Sequence, residues 1–363
     1  MPCLIAAPSS GSGKTLLSLS LTALARARGL RLQPFKVGPD YLDPQLLSRV
    51  SGLPCRNLDP LLCGEAWVER CFHWHGARAD LALVEGVMGL FDGLGSSSRG
   101  SSAAVAIQLG LPVVLVVEAS RQAGSLAALV RGFRDHDPRL QLAGVVLNRV
   151  GSARHHLLLS EALASIAVPL LGVLPSEPAL ELPSRHLGLL PPHELEDLES
   201  RQAQWAALAA QHLDLERLWP LLQPPAPPVD PVDPIGWCLH QAPQTATAST
   251  TRSPQATASK PLPIAVASDA AFHFRYPEAG ELLEALGLQP VPWSPLADEA
   301  LPPGSRAVLL PGGYPELHAA QLAGSQQSLN ALRAAARHGL PIVAECGGLL
   351  LLGRSLNDPF GMP

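Results

Sequence analysis

The segment that most constrains this chain is its first fifteen residues. Leu4-Ile5-Ala6-Ala7 is a short aliphatic run, Pro8-Ser9-Ser10-Gly11-Ser12-Gly13 is a glycine-rich turn, and Lys14-Thr15 opens an apolar stretch, Leu16–Arg28. A strand that runs through a glycine turn into Gly-Lys-Thr at a helix start is a phosphate-binding loop on a parallel α/β sheet. Gly11 and Gly13 let backbone N–H groups, that of Ser12 among them, turn inward around phosphate oxygens, and the helix N-terminus adds its partial positive charge. In this reading Lys14 reaches the β- and γ-phosphates of ATP, and the Thr15 hydroxyl ligates Mg2+. One departure is plain: Pro8 stands where the common pattern begins with glycine.

The rest of the N-terminal part keeps to the same architecture. Leu32–Val37, Leu81–Val84, Val113–Val117, Ala143–Leu147 and Leu170–Leu174 are strand-length runs, all but the first continuously apolar, as expected of parallel strands covered on both faces. Helix-length segments separate some of them: Ser101–Leu109, Ser125–Phe133 and His155–Ile166. Prolines then crowd between Trp219 and Pro263, followed by a Thr/Ala/Ser/Gln stretch from Gln244 to Ser259, a composition that does not bury a core. A second α/β series follows, with strands at Leu262–Ser268, Ala307–Leu310 and Pro341–Ala344 and helices at Tyr276–Leu286 and Ser328–His338. The expected organisation is an ATP-binding domain over 1–219, an extended or disordered linker over 220–261, and a second α/β domain over 262–363.

Bulk properties exclude several classes. A net charge of -5 over 363 residues gives no broad basic footprint for nucleic acid. No apolar stretch reaches the ~20 residues that span a bilayer, and the N-terminus carries no basic leader. The six cysteines form no CxxC pair and no disulfide spacing, which suits a reducing cytoplasm.

A magnesium–nucleotide site needs hard oxygen ligands. Two acidic motifs lie at the C-terminal ends of expected strands, where open α/β sheets bind ligands. One is Lys36-Val37-Gly38-Pro39-Asp40-Tyr41-Leu42-Asp43-Pro44 and the other Glu85-Gly86-Val87-Met88-Gly89-Leu90-Phe91-Asp92-Gly93. A single loop aspartate is as often a turn residue as a ligand; four acids after two strands make a site the stronger reading, with Glu85 the best metal candidate. Asn148, at the end of Ala143–Leu147, stands where an amide could read the adenine edge, although an ordinary strand-end cap fits equally well.

These motifs, together with Asn57-Leu58-Asp59, Leu147-Asn148-Arg149 and Arg185-His186-Leu187-Gly188-Leu189, resemble the cobyrinic acid a,c-diamide synthases. The resemblance runs along the whole chain apart from the linker. It implies a dethiobiotin-synthetase-like ATP domain that phosphorylates two acetate carboxylates of a corrin precursor, cobyrinate, and lets ammonia from L-glutamine displace the phosphate. On that resemblance Lys14, Thr15, Asp40 and Glu85 hold Mg-ATP, while Asp43 and Asp92 lie near the carboxylate or acyl-phosphate. It leaves room for a homodimer. The same motifs serve Ni-sirohydrochlorin a,c-diamide synthases. A dethiobiotin-synthetase-like ligase or a ParA-like partitioning ATPase shares only the first domain, and the acidic balance speaks against the latter.

In the second domain, Leu340-Pro341-Ile342-Val343-Ala344-Glu345-Cys346-Gly347-Gly348 reads as a strand, a sharp bend with cysteine at its tip, and a helix. Such a helix start lowers a thiol pKa. Leu310-Pro311-Gly312-Gly313-Tyr314-Pro315-Glu316 sets a glycine pair after another strand, suited to donate N–H to an oxyanion. Both resemble class I glutamine amidotransferases, flavodoxin-like domains, which implies that Cys346 forms a glutamyl thioester and that Gly313 and Gly347 supply the oxyanion hole. Members of that class continue into a segment bearing a catalytic His; here no His follows Cys346, and His318 and His338 match no such base. The expectation is therefore a C-terminally incomplete amidotransferase domain, impaired in glutamine hydrolysis and with an unpaired sheet edge, beside an intact ATP domain.

Overall fold

The computed structural model describes residues 1–363 except 178–183, 186–187, 190–191, 196, 230–231, 242–259 and 356–363. The chain forms two compact units, Met1–Pro234 and Ile235–Pro363. The division falls inside the segment expected to be a linker.

In the first unit, β1 (Leu4–Ala6) leads into α1 (Lys14–Ala27), β2 (Leu32–Val37), α2 (Leu42–Ser51), β3 (Arg56–Leu58), α3 (Glu65–Gly76) and β4 (Leu81–Glu85). Then come α4 (Ser102–Leu109), β5 (Val113–Glu118), α5 (Ser125–Asp135), β6 (Leu142–Val150), α6 (Ala153–Ala164) and β7 (Leu170–Pro175). A two-residue hairpin, β8 (Ser184–Arg185) and β9 (Gly188–Leu189), precedes α7 (Leu198–His212) and α8 (Leu215–Leu218). The seven long strands make one parallel sheet in the order β3-β2-β4-β1-β5-β6-β7. With β1 in the middle, the chain leaves to one side through β2 and crosses to the other between β4 and β5. The carboxyl ends of β1, β2 and β4 thus share one crevice, the position where such sheets hold ligands.

Helix α1 lies over this centre and is buried on nearly every side, which its sequence explains. Leu17, Leu19, Leu21 and Leu24 pack into the core, and the buried hydroxyls of Ser18, Ser20 and Thr22 donate to the carbonyls of Lys14, Leu16 and Ser18 at 3.0, 2.7 and 2.7 Å. The helix carries polar side chains through the interior without leaving them unsatisfied. Trp205 and Leu208 of α7 complete the cluster. On β2 and α3, Phe35 and Phe72 meet at 5.4 Å between ring centroids.

Part of the proline-rich stretch after α8 is docked. Arg70 donates to the Val232 carbonyl at 2.9 Å, His73 bonds the Ala226 carbonyl at 2.9 Å, and Pro225 lies against Gly76. Further along, Pro234–Gln241 forms α9, where the composition suggested no helix. The stretch Gln244–Ser259 lies outside the described residues.

In the second unit, β10 (Leu262–Ala267), α10 (Pro277–Ala285), β11 (Leu288–Trp293), β12 (Val308–Leu310), α11 (Ala319–Gly324), α12 (Gln326–Arg337), β13 (Ile342–Ala344) and α13 (Gly347–Leu351) follow in order. Its parallel sheet runs β11-β10-β12-β13. Ala265, Phe272, Trp293, Val308 and Leu310 form its core, with Trp293 Nε1 donating to the Glu299 carbonyl at 2.9 Å.

Candidate functional site

The phosphate loop folds as its glycines require. Gly11 has φ +79° and Gly13 φ +110°, conformations costly for residues with a Cβ. Gly13 also has no room for one: a Cβ there would stand 2.2 Å from Asn148 Nδ2. That amide donates to the Ser12 carbonyl at 3.0 Å, and Asn148 Oδ1 accepts from the Arg149 N–H. Asn148 thus braces the back of the loop. Ser12 Oγ donates to the Ser9 carbonyl at 3.0 Å. Lys14 Nζ donates to the Met88 carbonyl at 2.6 Å, which ties the loop to the segment after β4. Burial, then repulsion from Lys36, holds the Lys14 pKa below the ordinary lysine value despite Glu85, Asp43 and Asp92 nearby.

Three of the four expected acids, Asp40, Asp43 and Glu85, gather around a cation. Lys36, 2% exposed, points its ammonium at Glu85 Oε1 (2.8 Å), at Asp40 Oδ2 (3.4 Å) and, closest, at Asp43 Oδ2. Thr15 Oγ1 donates to the same Glu85 oxygen at 2.8 Å and lies 3.4 Å from the same Asp43 oxygen. Glu85 is fully buried, and its other oxygen, Oε2, has no hydrogen-bond partner. Burial alone would lower the Lys36 pKa, but Asp43, Glu85 and Asp40 together raise it well above the ordinary value, so it stays charged. For Asp43 the pull of Lys36 outweighs burial and the pKa is lowered; for Asp40 and Glu85 burial dominates and raises it.

Local turns set this geometry. Asp40 Oδ1 accepts from the Leu42 and Asp43 N–H groups at 3.0 and 3.2 Å, starting α2 and aiming Asp43 inward. Asn57, at the end of β3, donates to the Gly38 and Asp40 carbonyls at 2.9 and 2.8 Å. After β4, the Gly86 N–H reaches the Ile5 carbonyl and the Leu90 N–H the Ala7 carbonyl, both at 2.8 Å, so the chain lies directly along the phosphate loop. A Cβ on Gly89 would stand 2.7 Å from the Pro8 carbonyl and 2.6 Å from Asp92 Oδ2. Asp92 closes that turn, accepting from the Gly89 N–H at 2.8 Å.

Sequence reading found the four acids and the loop but gave Lys36, Asn57 and Ser102 no role of their own. Ser102 accepts from the Val87 N–H and donates to its carbonyl, at 2.9 and 3.0 Å. The available signal for Lys36 was a lysine near the end of a strand, followed by Asp at the fourth and seventh positions. Of three lysines in the chain, Lys14, Lys36 and Lys260, two stand in this site.

In the second unit, Cys346 is exposed at the tip of the bend between β13 and α13 with φ +47° and ψ −116°. A non-glycine residue held there carries about 1–3 kcal/mol of strain, and such strain concentrates at functional positions. Close contacts hold it: Gly348 has no room for a Cβ, which would stand 2.1 Å from the Leu310 carbonyl oxygen, and one on Gly347 would stand 2.8 Å from the Gly313 carbonyl oxygen. Gly313, at φ +154°, abuts the Ala271 carbonyl, and Gly312 lies against Cys346 and Phe274. Gly313 and Gly347 are therefore neighbours beside the thiol.

Comparison with known proteins agrees with both halves. Residues 3–190 match the CobQ/CobB/MinD/ParA nucleotide binding domain, and residues 263–362 the CobB/CobQ-like glutamine amidotransferase domain. A cobyrinate a,c-diamide synthase from Synechocystis sp. is 44% identical over 99% of this chain and 71% of its own length. One from Gloeobacter violaceus is 45% identical over 99% and 75%. The chain belongs to the cobyrinate a,c-diamide synthase family. A relative in Streptomyces coelicolor, named hydrogenobyrinate a,c-diamide synthase, is 44% identical over 99% of this chain and 76% of its own. The fold expected, a P-loop parallel sheet followed by an α/β amidotransferase domain, is the fold of this family member.

The contact between Gly13 and Asn148 yields a direct test. Gly13→Ala must displace the Asn148 amide and strain the loop, so nucleotide affinity measured by calorimetry should fall by at least about a hundredfold, while far-UV circular dichroism stays native. Wild-type affinity in the variant would contradict the loop geometry.

Proposed function

We propose that this chain catalyses ATP-dependent amidation of the a- and c-acetate carboxylates of cobyrinate, with glutamine or ammonia as nitrogen donor. The observation that carries this reading is the meeting of Thr15, Lys36, Asp40, Asp43 and Glu85 beside a phosphate loop at the ends of β1, β2 and β4. The family relatives' names supply the substrate class.

The residues fit a magnesium ion. Glu85 Oε2 is a buried hard oxygen without a partner, and Thr15 Oγ1 and Asp40 stand close enough to share the ion, with Asp43 beside them. Bound there, Mg2+ would screen the charge of the phosphates. The protein's own part is positioning: loop N–H groups and Lys14 hold the triphosphate, and Asp43 and Asp92 frame the place of the acceptor carboxylate. That carboxylate attacks the γ-phosphorus, ADP leaves, and ammonia displaces phosphate from the acyl-phosphate to give the amide. Cys346 Sγ attacks the glutamine amide carbonyl, the C–N bond breaks to release ammonia, and water then hydrolyses the glutamyl thioester to glutamate, with the Gly313 and Gly347 N–H groups taking the developing oxyanion.

Exposed apolar side chains after β3 and β4 suit the apolar ring face of a macrocycle whose edge carries carboxylates. Leu61 and Leu62 after β3, and Met88 and Leu94 after β4, are exposed, with Leu62 at 69% and Leu94 at 58%. Leu61 packs on Gly100, which joins the two loops. We place the reaction in the cytoplasm, where ATP and glutamine are supplied and where cysteines outside disulfides are at home. No helix among the described residues is long and apolar enough to cross a membrane.

Incubating the chain with cobyrinate, hydrogenobyrinate or Ni-sirohydrochlorin, each with ATP, Mg2+ and ammonia or glutamine, tests the reading. A corrin a,c-diamide should form with ammonia, and Cys346→Ser should keep that activity while losing any supported by glutamine. No amide from any macrocycle, or a Cys346→Ser variant that still uses glutamine, would overturn it. A polar rim should weaken macrocycle binding alone: Leu62→Asp with Leu94→Asp should raise the KM for the corrin by about 10–100-fold, the worth of one or two buried leucines, and leave the KM for ATP unchanged.

A further inference from the structure

The most unusual group in the molecule is a lysine that touches almost no solvent and gathers three carboxylates around its charge. Lys36 Nζ and Thr15 Oγ1 converge on the same two oxygens, Glu85 Oε1 and Asp43 Oδ2. Asp40 Oδ2 closes the other side at 3.4 Å. A hydroxyl and carboxylate oxygens around a single positive centre is the donor set of a divalent cation, with an ammonium at the centre. Glu85 Oε2, fully buried and without a partner, is a further ligand atom that the ammonium leaves unused.

We propose that Lys36 is a positioning residue that occupies the divalent-cation position in the nucleotide-free enzyme and yields it when the metal enters with ATP. The inference rests on reading this cluster as a metal–nucleotide site, and it goes beyond that reading by assigning the lysine a competing role. Without a cation at the centre, three carboxylates this close would repel one another and the site would spread. The tethered ammonium holds them at metal-ready spacing. It also discourages a metal from binding before the triphosphate that should accompany it. Phosphate oxygens supply the added ligands that tip the exchange.

Two measurements on the full chain test this, and neither needs a corrin. The first is Mn2+ affinity without nucleotide, read from free Mn2+ by electron paramagnetic resonance. Lys36→Met should bind Mn2+ at least about tenfold more tightly than wild type, Lys36→Arg should stay weak, and adding Glu85→Gln to Lys36→Met should remove the gain. The second uses wild type alone, in case Lys36→Met fails to fold. Brief acetylation followed by mass spectrometry should show Lys36 labelled several-fold more in Mn2+ plus a non-hydrolysable ATP analogue than in the free enzyme. The exposed Lys260 serves as the unchanged control. A folded Lys36→Met variant with unchanged or weaker Mn2+ affinity, or Lys36 labelling that does not rise, would overturn the proposal. Failure of the amidation assay would leave these results standing and so reject only the substrate assignment.

Discussion

The ion cluster around Lys36 is the interaction on which the rest of the first unit depends. A single buried ammonium keeps Asp40, Asp43 and Glu85 together on three different pieces of chain: a turn, the first turn of α2 and the last residue of β4. None of these carboxylates could sit in so dry a place alone, since an uncompensated buried charge either takes up a proton or breaks the packing around it. The neutralisation is mutual, because burial would strip the lysine of its proton without them. The charged crevice is therefore formed before any ligand arrives, and its shape is that of a cation bound to oxygens.

The sheet makes that convergence achievable. Parallel pairing of β1 with both β4 and β5 sends successive connections to opposite sides and leaves β1, β2 and β4 ending side by side. Close backbone approach then brings the loops into contact: Gly86 and Gly89 let the post-β4 segment lie against Ile5, Ala7 and Pro8, and Gly13 admits Asn148. Pro8 in place of the usual first glycine is accommodated because its carbonyl, not an N–H, faces Gly89. The second unit repeats the logic with different chemistry, as backbones crowded through Gly313, Gly347 and Gly348 push Cys346 outward on a strained bend.

Much of this was legible in the sequence for physical reasons. Doubly covered strands are mostly aliphatic, so β1, β4, β5, β6 and β7 stand out as runs, and the phosphate loop and the cysteine bend need specific small residues at fixed spacing. What escaped notice lacked such a signature. The three residues of β3, Arg56-Asn57-Leu58, and the two-proline edge strand β11, Leu288–Trp293, have compositions that suggest loops; an edge position is where proline is tolerated. Helix α2 begins inside an acidic motif and α9 inside a proline-rich stretch, where tertiary contacts override weak local preference. The bracing contact of Asn148 was not legible because its partner, the Ser12 carbonyl, is 136 positions away. The role of Lys36 was hidden in part for the same reason: Glu85, 49 positions away, becomes its neighbour only when β2 and β4 pair.

The central claim is that this site activates a carboxylate by phosphorylating it. The direct measurement is isotopic: cobyrinate carrying 18O in its a- and c-acetate carboxylates is amidated with ATP and ammonia, and the released inorganic phosphate is analysed by mass spectrometry. Transfer through an acyl-phosphate places one 18O from each carboxylate into phosphate for each amide formed. Amide formation with unlabelled phosphate would contradict the account.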